Sequence, residues 1–254
     1  MGRNHLISCI ITLLIVSTVS WFAGMTFAGQ KTIRLATVEW EPHYGPNLKK
    51  QGYISEITRE AFNRVGYDVE ISFMPWKRAM HDTRRGHFDG LLGLYYTKDR
   101  ESWVAYTDEI SSNKIVFFSK KGRHISYSKL KDLRRYKIGI ERGFTYGEVF
   151  DNASFLQKEP VRNIDINFNK LINGRVDLVA ASEMVFMHMI TTRHADARKK
   201  IEIVEPPLGV DGIYNGIIRK KKGWEQIISD FNIGLSMIRK DGTFVSILNS
   251  HGLK

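Results

Sequence analysis

Segments with strand periodicity and segments with helix periodicity alternate along the chain after its N-terminal apolar run, and this alternation limits the fold most. Residues 33–38, 69–73 and 88–94 have the pattern of short apolar strands. Residues 54–65 and 76–86 carry apolar side chains at helical spacing between them. A strand–helix–strand–helix–strand run builds a parallel sheet with helices packed on it. The sequence therefore predicts an α/β fold.

A second unit of the same kind follows in the middle of the chain. Its predicted elements are strands at 137–141 and 176–181, a helix opened by Gly143–Tyr146, and helices at 168–174 and 183–194. Two further apolar strands, residues 115–118 and 213–218, are placed to run between the two units. We therefore predict two βα sandwiches joined by a two-strand hinge, with a cleft between them in which a small ligand would be enclosed.

The N-terminus has the pattern of a secretory signal peptide. Arg3 precedes an uncharged, mostly apolar run over residues 6–27, which ends at Ala28 with small residues where a signal peptidase would cut. We predict a cleaved signal peptide over residues 1–28 and a periplasmic mature protein. The alternative is an uncleaved membrane anchor, since the run is long enough to cross a bilayer. Cleavage would remove Cys9, the one cysteine, and so exclude disulfides and cysteine nucleophiles.

Charge and motifs argue against most other classes of protein. Lys plus Arg number 38 and Asp plus Glu number 27, a formal net charge of +11. The basic residues form short scattered clusters, as on a solvated surface, so we expect no nucleic-acid partner. The chain contains no HExxH, GxSxG, GxxxxGK[ST] or GxGxxG motif. We therefore expect no metal, no cofactor and no enzymatic activity.

A series of short motifs runs in order through the whole mature chain. They are Ile33–Val38, Trp40–Tyr44, Gly52–Gly66, Asp89–Gly90, Thr97–Arg100, Thr107–Asp108, Leu130–Leu133, Lys137–Ile140, Gly143, Gly174–Asp177 and Arg239–Thr243. Together they resemble the periplasmic solute-binding proteins of ABC importers, in the family-three branch that includes polar amino-acid binders. The resemblance implies a type II-like two-lobe fold, with lobe I at residues 31–118 plus 214–254 and lobe II at 119–213. Such a protein closes on a solute and presents it to a membrane permease.

The resemblance also suggests the ligand contacts. Tyr44 matches the aromatic residue that covers the ligand, and Arg100 matches the arginine that clamps a ligand carboxylate with its two parallel donors. The other candidates are Trp40, Trp76, Arg78, Tyr95, Thr97, Gly143, Phe144, Thr145 and Ser182. Trp40, Tyr44 and Trp76 could instead be core residues, and Arg78 could be solvated. Thr145 and Ser182 could be ordinary residues of a helix N-terminus.

Two departures from the amino-acid binders shape the functional hypothesis. Gly93–Tyr96 replaces the usual hydroxyl residues, and Ser182 stands where those binders place the acid that holds the ligand ammonium. We therefore predict a small polar, carboxylate-bearing solute other than an ordinary α-amino acid. We expect a monomer whose partner is an ABC permease or, alternatively, a membrane sensor. A dehydratase-like enzyme on the same scaffold is a further alternative, with Glu141, Glu148 or Glu183 as general acid or base.

Overall fold

The computed structural model describes residues 31–253. The predicted signal peptide, residues 1–28, lies outside the described residues. The strands are β1 Lys31–Thr37, β2 Tyr67–Phe73, β3 Gly90–Tyr95, β4 Val104–Tyr106, β5 Ser111–Lys120, β6 Lys137–Glu141, β7 Gln157–Val161, β8 Leu178–Ser182 and β9 Ile201–Ile218. The α-helices are α1 Tyr53–Asn63, α2 Trp76–Arg85, α3 Glu148–Asp151, α4 Ile164–Ile172, α5 Glu183–Arg193, α6 Trp224–Lys240 and α7 Thr243–Ser250. None of the helices in this described part combines the length and apolar character that crossing a bilayer requires.

The strands form one curled mixed sheet in the order β2-β1-β3-β9-β5-β8-β6-β7, with β4 also paired to β9. β1 pairs with β3 in parallel, and β6 pairs in parallel with both β7 and β8. The two antiparallel strands β5 and β9 lie between these parallel groups. The predicted α/β fold with two parallel units is therefore confirmed.

The strands β5 and β9 connect the two parallel groups through two separate stretches of pairing. Ser111–Ile115 pairs with Gly209–Ile213, and Phe117–Lys120 pairs with Ile201–Val204. The prediction of a strand only over residues 213–218 was too short, because Pro206 and Pro207 have the pattern of a strand break. These prolines lie between the paired stretches, where the ladder is interrupted and no backbone donor is needed.

The buried apolar side chains form separate clusters on either side of the crossing strands. In the first parallel group, α1 and α6 pack on the sheet and bring the rings of Phe62 and Phe231 to a centroid distance of 4.9 Å. In the second group, Phe118 stacks on Phe186 at 4.1 Å. Each half of the molecule thus has its own core, as expected for two lobes.

Local structure differs from the prediction at three places. Gly143–Tyr146 does not open a helix: α3 begins only at Glu148 and has four residues. Gly143 and Gly147 have φ angles of +88° and +100°, which are not helical. The sequence did not predict strands β4 and β7, because each is short and has no clear alternation of apolar and polar residues.

Candidate functional site

The carboxyl ends of four strands converge on one cleft. The first group contributes the end of β1 at Thr37 and of β3 at Tyr95; the second contributes the end of β6 at Glu141 and of β8 at Ser182. Ligands of α/β proteins bind beyond the carboxyl ends of parallel strands. Here two cavities, both partly open to solvent, lie at this position.

The first cavity contains most of the candidate residues from the sequence. Its lining is Val38, Trp40, Tyr44, Trp76, Gly93, Leu94, Tyr95, Arg100, Gly143, Phe144 and Thr145. The second cavity is lined by Trp40, Tyr95, Ile115, Glu141, Phe144, Thr145, Tyr146, Ile164, Ala181, Ser182 and Val185. Four residues, Trp40, Tyr95, Phe144 and Thr145, line both cavities, which are therefore adjoining compartments of one cleft.

The wall shared by the two cavities is aromatic and comes from both halves of the molecule. The rings of Trp40 and Tyr95 meet edge to face, with centroids 5.5 Å apart. Phe144, from the loop after β6, packs against the cores of both halves. Trp40 is only 8% exposed, so it belongs to the core and to the cavity wall at once.

Arg100 is the only charged side chain among the described residues that line the first cavity. Its Nη1 donates to the carbonyl oxygen of Tyr95 over 2.9 Å, and its guanidinium carbon lies 5.6 Å from the ring centroid of Trp76. The part of the chain that the structure describes offers no carboxylate partner to this guanidinium. Arg100 can therefore receive an anionic group of a ligand with its remaining donors.

Tyr44 is a buried residue in the lining of the first cavity. Its side chain is 2% exposed, and its hydroxyl donates to the carbonyl oxygen of Gly93 over 2.5 Å. Burial raises the pKa of the Tyr44 hydroxyl well above its ordinary value. The hydroxyl therefore stays protonated and donates to Gly93, at the point where β3 is irregular beside the cavity.

Ser182 lies in the second cavity and joins a polar chain that crosses from one half to the other. Its hydroxyl donates to Asn113 Oδ1 over 2.6 Å and accepts from the backbone N–H of Val185 over 3.3 Å. Asn113 Nδ2 donates in turn to the Tyr95 hydroxyl over 2.5 Å. Ser182 is thus both a helix cap, as the alternative interpretation held, and a cavity residue.

Two of the sequence candidates do not line either cavity. Thr97 begins the turn that carries Arg100, and its backbone carbonyl accepts from the Arg100 N–H over 3.1 Å. Arg78 is exposed on α2, where its Nε lies 3.3 Å from Asp82 Oδ2. Thr97 therefore positions Arg100, and Arg78 contributes to the helix surface.

Glu141 is a cavity residue that the set of sequence candidates for ligand contact did not include. The sequence suggested it only as a general acid or base. It is the only charged side chain among the described residues lining the second cavity. Burial, reinforced by the negative charge of Asp165, raises the pKa of Glu141 from 4.5 to about 7. Its place at the carboxyl end of a predicted strand was the signal that could have identified it.

The other two carboxylates considered for catalysis lie elsewhere. Glu183 Oε2 is 3.3 Å from Lys114 Nζ, and Glu148 is exposed at the start of α3. Neither lines the two cavities. Among the acids considered from the sequence, Glu141 alone faces the cleft.

Comparison with known proteins adds a family to this geometry. The sequence model of the bacterial extracellular solute-binding proteins, family 3, matches residues 33–254. A protein of Escherichia coli (strain K12) named "Putative ABC transporter arginine-binding protein 2" is 25% identical over 246 residues, which are 93% of this chain and 97% of that protein. The match thus extends over nearly the whole length of both chains.

Two solved structures illustrate the likeness in fold. A histidine kinase sensor domain with similarity to periplasmic binding proteins has a TM-score of 0.74 at 18% identity, over 87% of this chain and 96% of that chain. An ancestral amino acid-binding protein, a precursor of cyclohexadienyl dehydratase, has a TM-score of 0.67 at 19% identity, over 86% of this chain and 94% of that chain. At these identities the likeness shows the two-lobe fold alone.

Proposed function

Because the chain belongs to the bacterial extracellular solute-binding proteins of family 3, we propose that it is a periplasmic receptor for an ABC importer. It binds a small polar solute that carries a carboxylate, and it performs no chemistry on that solute. Lobe I comprises residues 31–118 and 214–254, and lobe II comprises residues 119–213. The signal peptide over residues 1–28 directs export.

The observation that carries this proposal is the unpaired guanidinium of Arg100 in an aromatic cavity. Trp76 and Tyr95 hold the side chain by ring and carbonyl contacts, which leaves other N–H donors for a ligand. A carboxylate bound there would receive two charge-assisted hydrogen bonds away from bulk water, where such bonds are strongest. The remaining lining is apolar or neutral, which suits a small organic acid.

Contacts between the lobes support closure around the solute. Phe144, Met184 and Val185 of the proposed lobe II pack against the core of lobe I. His188 Nε2 lies 3.5 Å from Glu41 Oε2, between α5 and the loop after β1. These contacts support a closed arrangement of the proposed lobes over the cavities, and opening of the β5–β9 crossing would admit the solute.

The test is a thermal-shift screen of the mature protein against small carboxylates and their uncharged amides. A ligand that binds only the folded state raises the melting temperature by mass action. We expect carboxylates, and not the matched amides, to raise it. The ligand recovered after incubation should have an unchanged mass. Amides that stabilise as well as acids would contradict the role of the carboxylate.

A membrane sensor is the alternative partner to an importer. Deletion of the gene separates the two, once a ligand is known. Loss of uptake of the labelled ligand supports import. Normal uptake with loss of a ligand-dependent transcriptional response supports sensing.

A dehydratase-like enzyme is a second candidate function because of Glu141. A carboxyl group whose pKa lies near neutrality can donate or accept a proton at physiological pH. Such a role requires a ligand that is converted during incubation, with conversion lost in Glu141→Gln. Recovery of unchanged ligand at long incubation times argues for the receptor.

A further inference from the structure

The two cavities of the cleft carry opposite charges. Arg100 is the one charged group among the described residues lining the first cavity, and Glu141 is the one among those lining the second. The rings of Trp40, Tyr95 and Phe144, together with Thr145, belong to both linings, so the two charged cavities adjoin along this mostly aromatic wall. The cleft therefore offers a cationic compartment and an anionic compartment with a mostly aromatic wall in common.

On the basis of the proposed function, we infer that the solute is dipolar. Its carboxylate binds Arg100, and a terminal ammonium or guanidinium group binds Glu141. A short apolar chain joins the two groups and packs against the shared aromatic wall. The ligand class is thus the ω-amino and ω-guanidino carboxylic acids.

The surroundings of the Glu141 carboxylate favour binding of a cation. Within the described residues, no basic side chain pairs with its carboxylate and no donor bonds to it. Its charged neighbour is Asp165, which repels a second negative charge even though Arg193 Nη1 lies 3.0 Å from Asp165 Oδ2. An unpaired, largely buried carboxylate is unfavourable, and a ligand cation would remove that penalty while forming charge-assisted bonds.

The positions of the charges separate this class from ordinary α-amino acids. An α-amino acid carries its ammonium on the carbon next to the carboxylate, so both groups would enter the cavity of Arg100. Among the described residues, that cavity has no acidic side chain to pair with an ammonium. Ser182, in the other cavity, offers only a hydroxyl. The cation is therefore placed at a distance from the carboxylate.

The experiment compares four compounds by titration calorimetry: 5-aminopentanoate, 4-guanidinobutanoate, pentanoate and glutarate. Wild type should bind at least one of the two dipolar acids about tenfold or more tightly than pentanoate, and glutarate the most weakly. Glu141→Gln should lose that preference and keep the affinity for pentanoate. Glu148→Gln, a matched change at an exposed acid of the same segment, should behave as wild type.

Each outcome decides the inference separately from the proposed function. The inference of a dipolar ligand is overturned if wild type and Glu141→Gln prefer the dipolar acids over pentanoate to the same degree. It is also overturned if wild type binds glutarate more tightly than the dipolar acids. If pentanoate then still binds through Arg100, the carboxylate receptor stands. Conversion of a dipolar acid by wild type and not by Glu141→Gln identifies an acid–base role and overturns the cation role. Failure of wild type to bind any of the four compounds also overturns the inference, and the wider carboxylate screen then decides the proposed function.

Discussion

The ring of Tyr44 occupies the space that a Cβ atom at position 93 would need. A Cβ built on Gly93 would lie 2.2 Å from Tyr44 Cε1, and the φ angle of Gly93 is +65°. The Tyr44 hydroxyl donates to the Gly93 carbonyl oxygen over 2.5 Å. The pairing of β3 with β9 shifts register between Leu91 and Leu94, so this contact fixes the irregular end of β3 beside the cavity.

Gly93→Ala should therefore destabilise the protein. The added methyl group must displace a fully buried aromatic ring, and the left-handed backbone adds strain, so we expect a loss of about 2–4 kcal/mol in the free energy of unfolding. Urea denaturation measures this loss. Gly209→Ala is the control, because nothing lies within 4 Å of its Cβ position. Equal stability of the two variants would contradict the steric role of Tyr44.

Asn215→Leu should destabilise the same region by a different mechanism. Asn215 is fully buried; its Oδ1 accepts from the Gly93 N–H over 3.2 Å and its Nδ2 donates to Thr58 Oγ1 over 3.0 Å. Leucine would leave two buried polar groups without these bonds, at a loss of about 2–5 kcal/mol. Thermal unfolding provides the measurement. Asn249→Leu, at an exposed position of α7, should change stability by less than about 0.5 kcal/mol.

Arg100→Ala should weaken binding of a carboxylate ligand by about 2–5 kcal/mol, because the anion loses its desolvated cationic partner. Titration calorimetry with the best carboxylate from the thermal-shift screen tests this expectation. Arg135→Ala, which removes the same charge from an exposed site, is the control. An unchanged Kd in Arg100→Ala would reject the clamp.

Glu141→Gln should stabilise the unliganded protein at high pH. The pKa of Glu141 is raised in the folded state from 4.5 to about 7, so the folded protein holds a proton that the unfolded chain has lost between these values. The wild type therefore loses stability as pH rises from about 4.5 to 7, and glutamine removes that loss. We expect the variant to gain about 3 kcal/mol at pH 8 and nothing at pH 4.

Unfolding of wild type and variant across this pH range tests the sign directly. Glu148→Gln should show no comparable pH dependence, since Glu148 is exposed. A stabilisation that is the same at pH 4 and pH 8 would show that the charge of Glu141 is not the cause.

Much of the fold and part of the site were predictable from local sequence signals. The patterns near Ile33, Lys137 and Val176 predicted strands of the parallel groups, because apolar residues in a strand pattern indicate burial. The resemblance to the solute-binding family, carried here by the Thr97–Arg100 motif, implied Arg100 as a ligand contact, and its side chain lines the first cavity. The first half of β9 was not predictable, since its prolines mark a break and only pairing with β5 makes it a strand.

The sequence by itself determined which segments could be buried strands and helices, and which residue types could bind an anion. The tertiary structure alone decided that Arg100 and Glu141 line neighbouring cavities. It also decided that Arg78 lies on a helix surface and that the Tyr44 hydroxyl donates to the Gly93 carbonyl oxygen. Spacing along a chain fixes neighbours within one helix or strand. Proximity between residues on separate strands depends on sheet order, register and lobe packing, which no local pattern encodes.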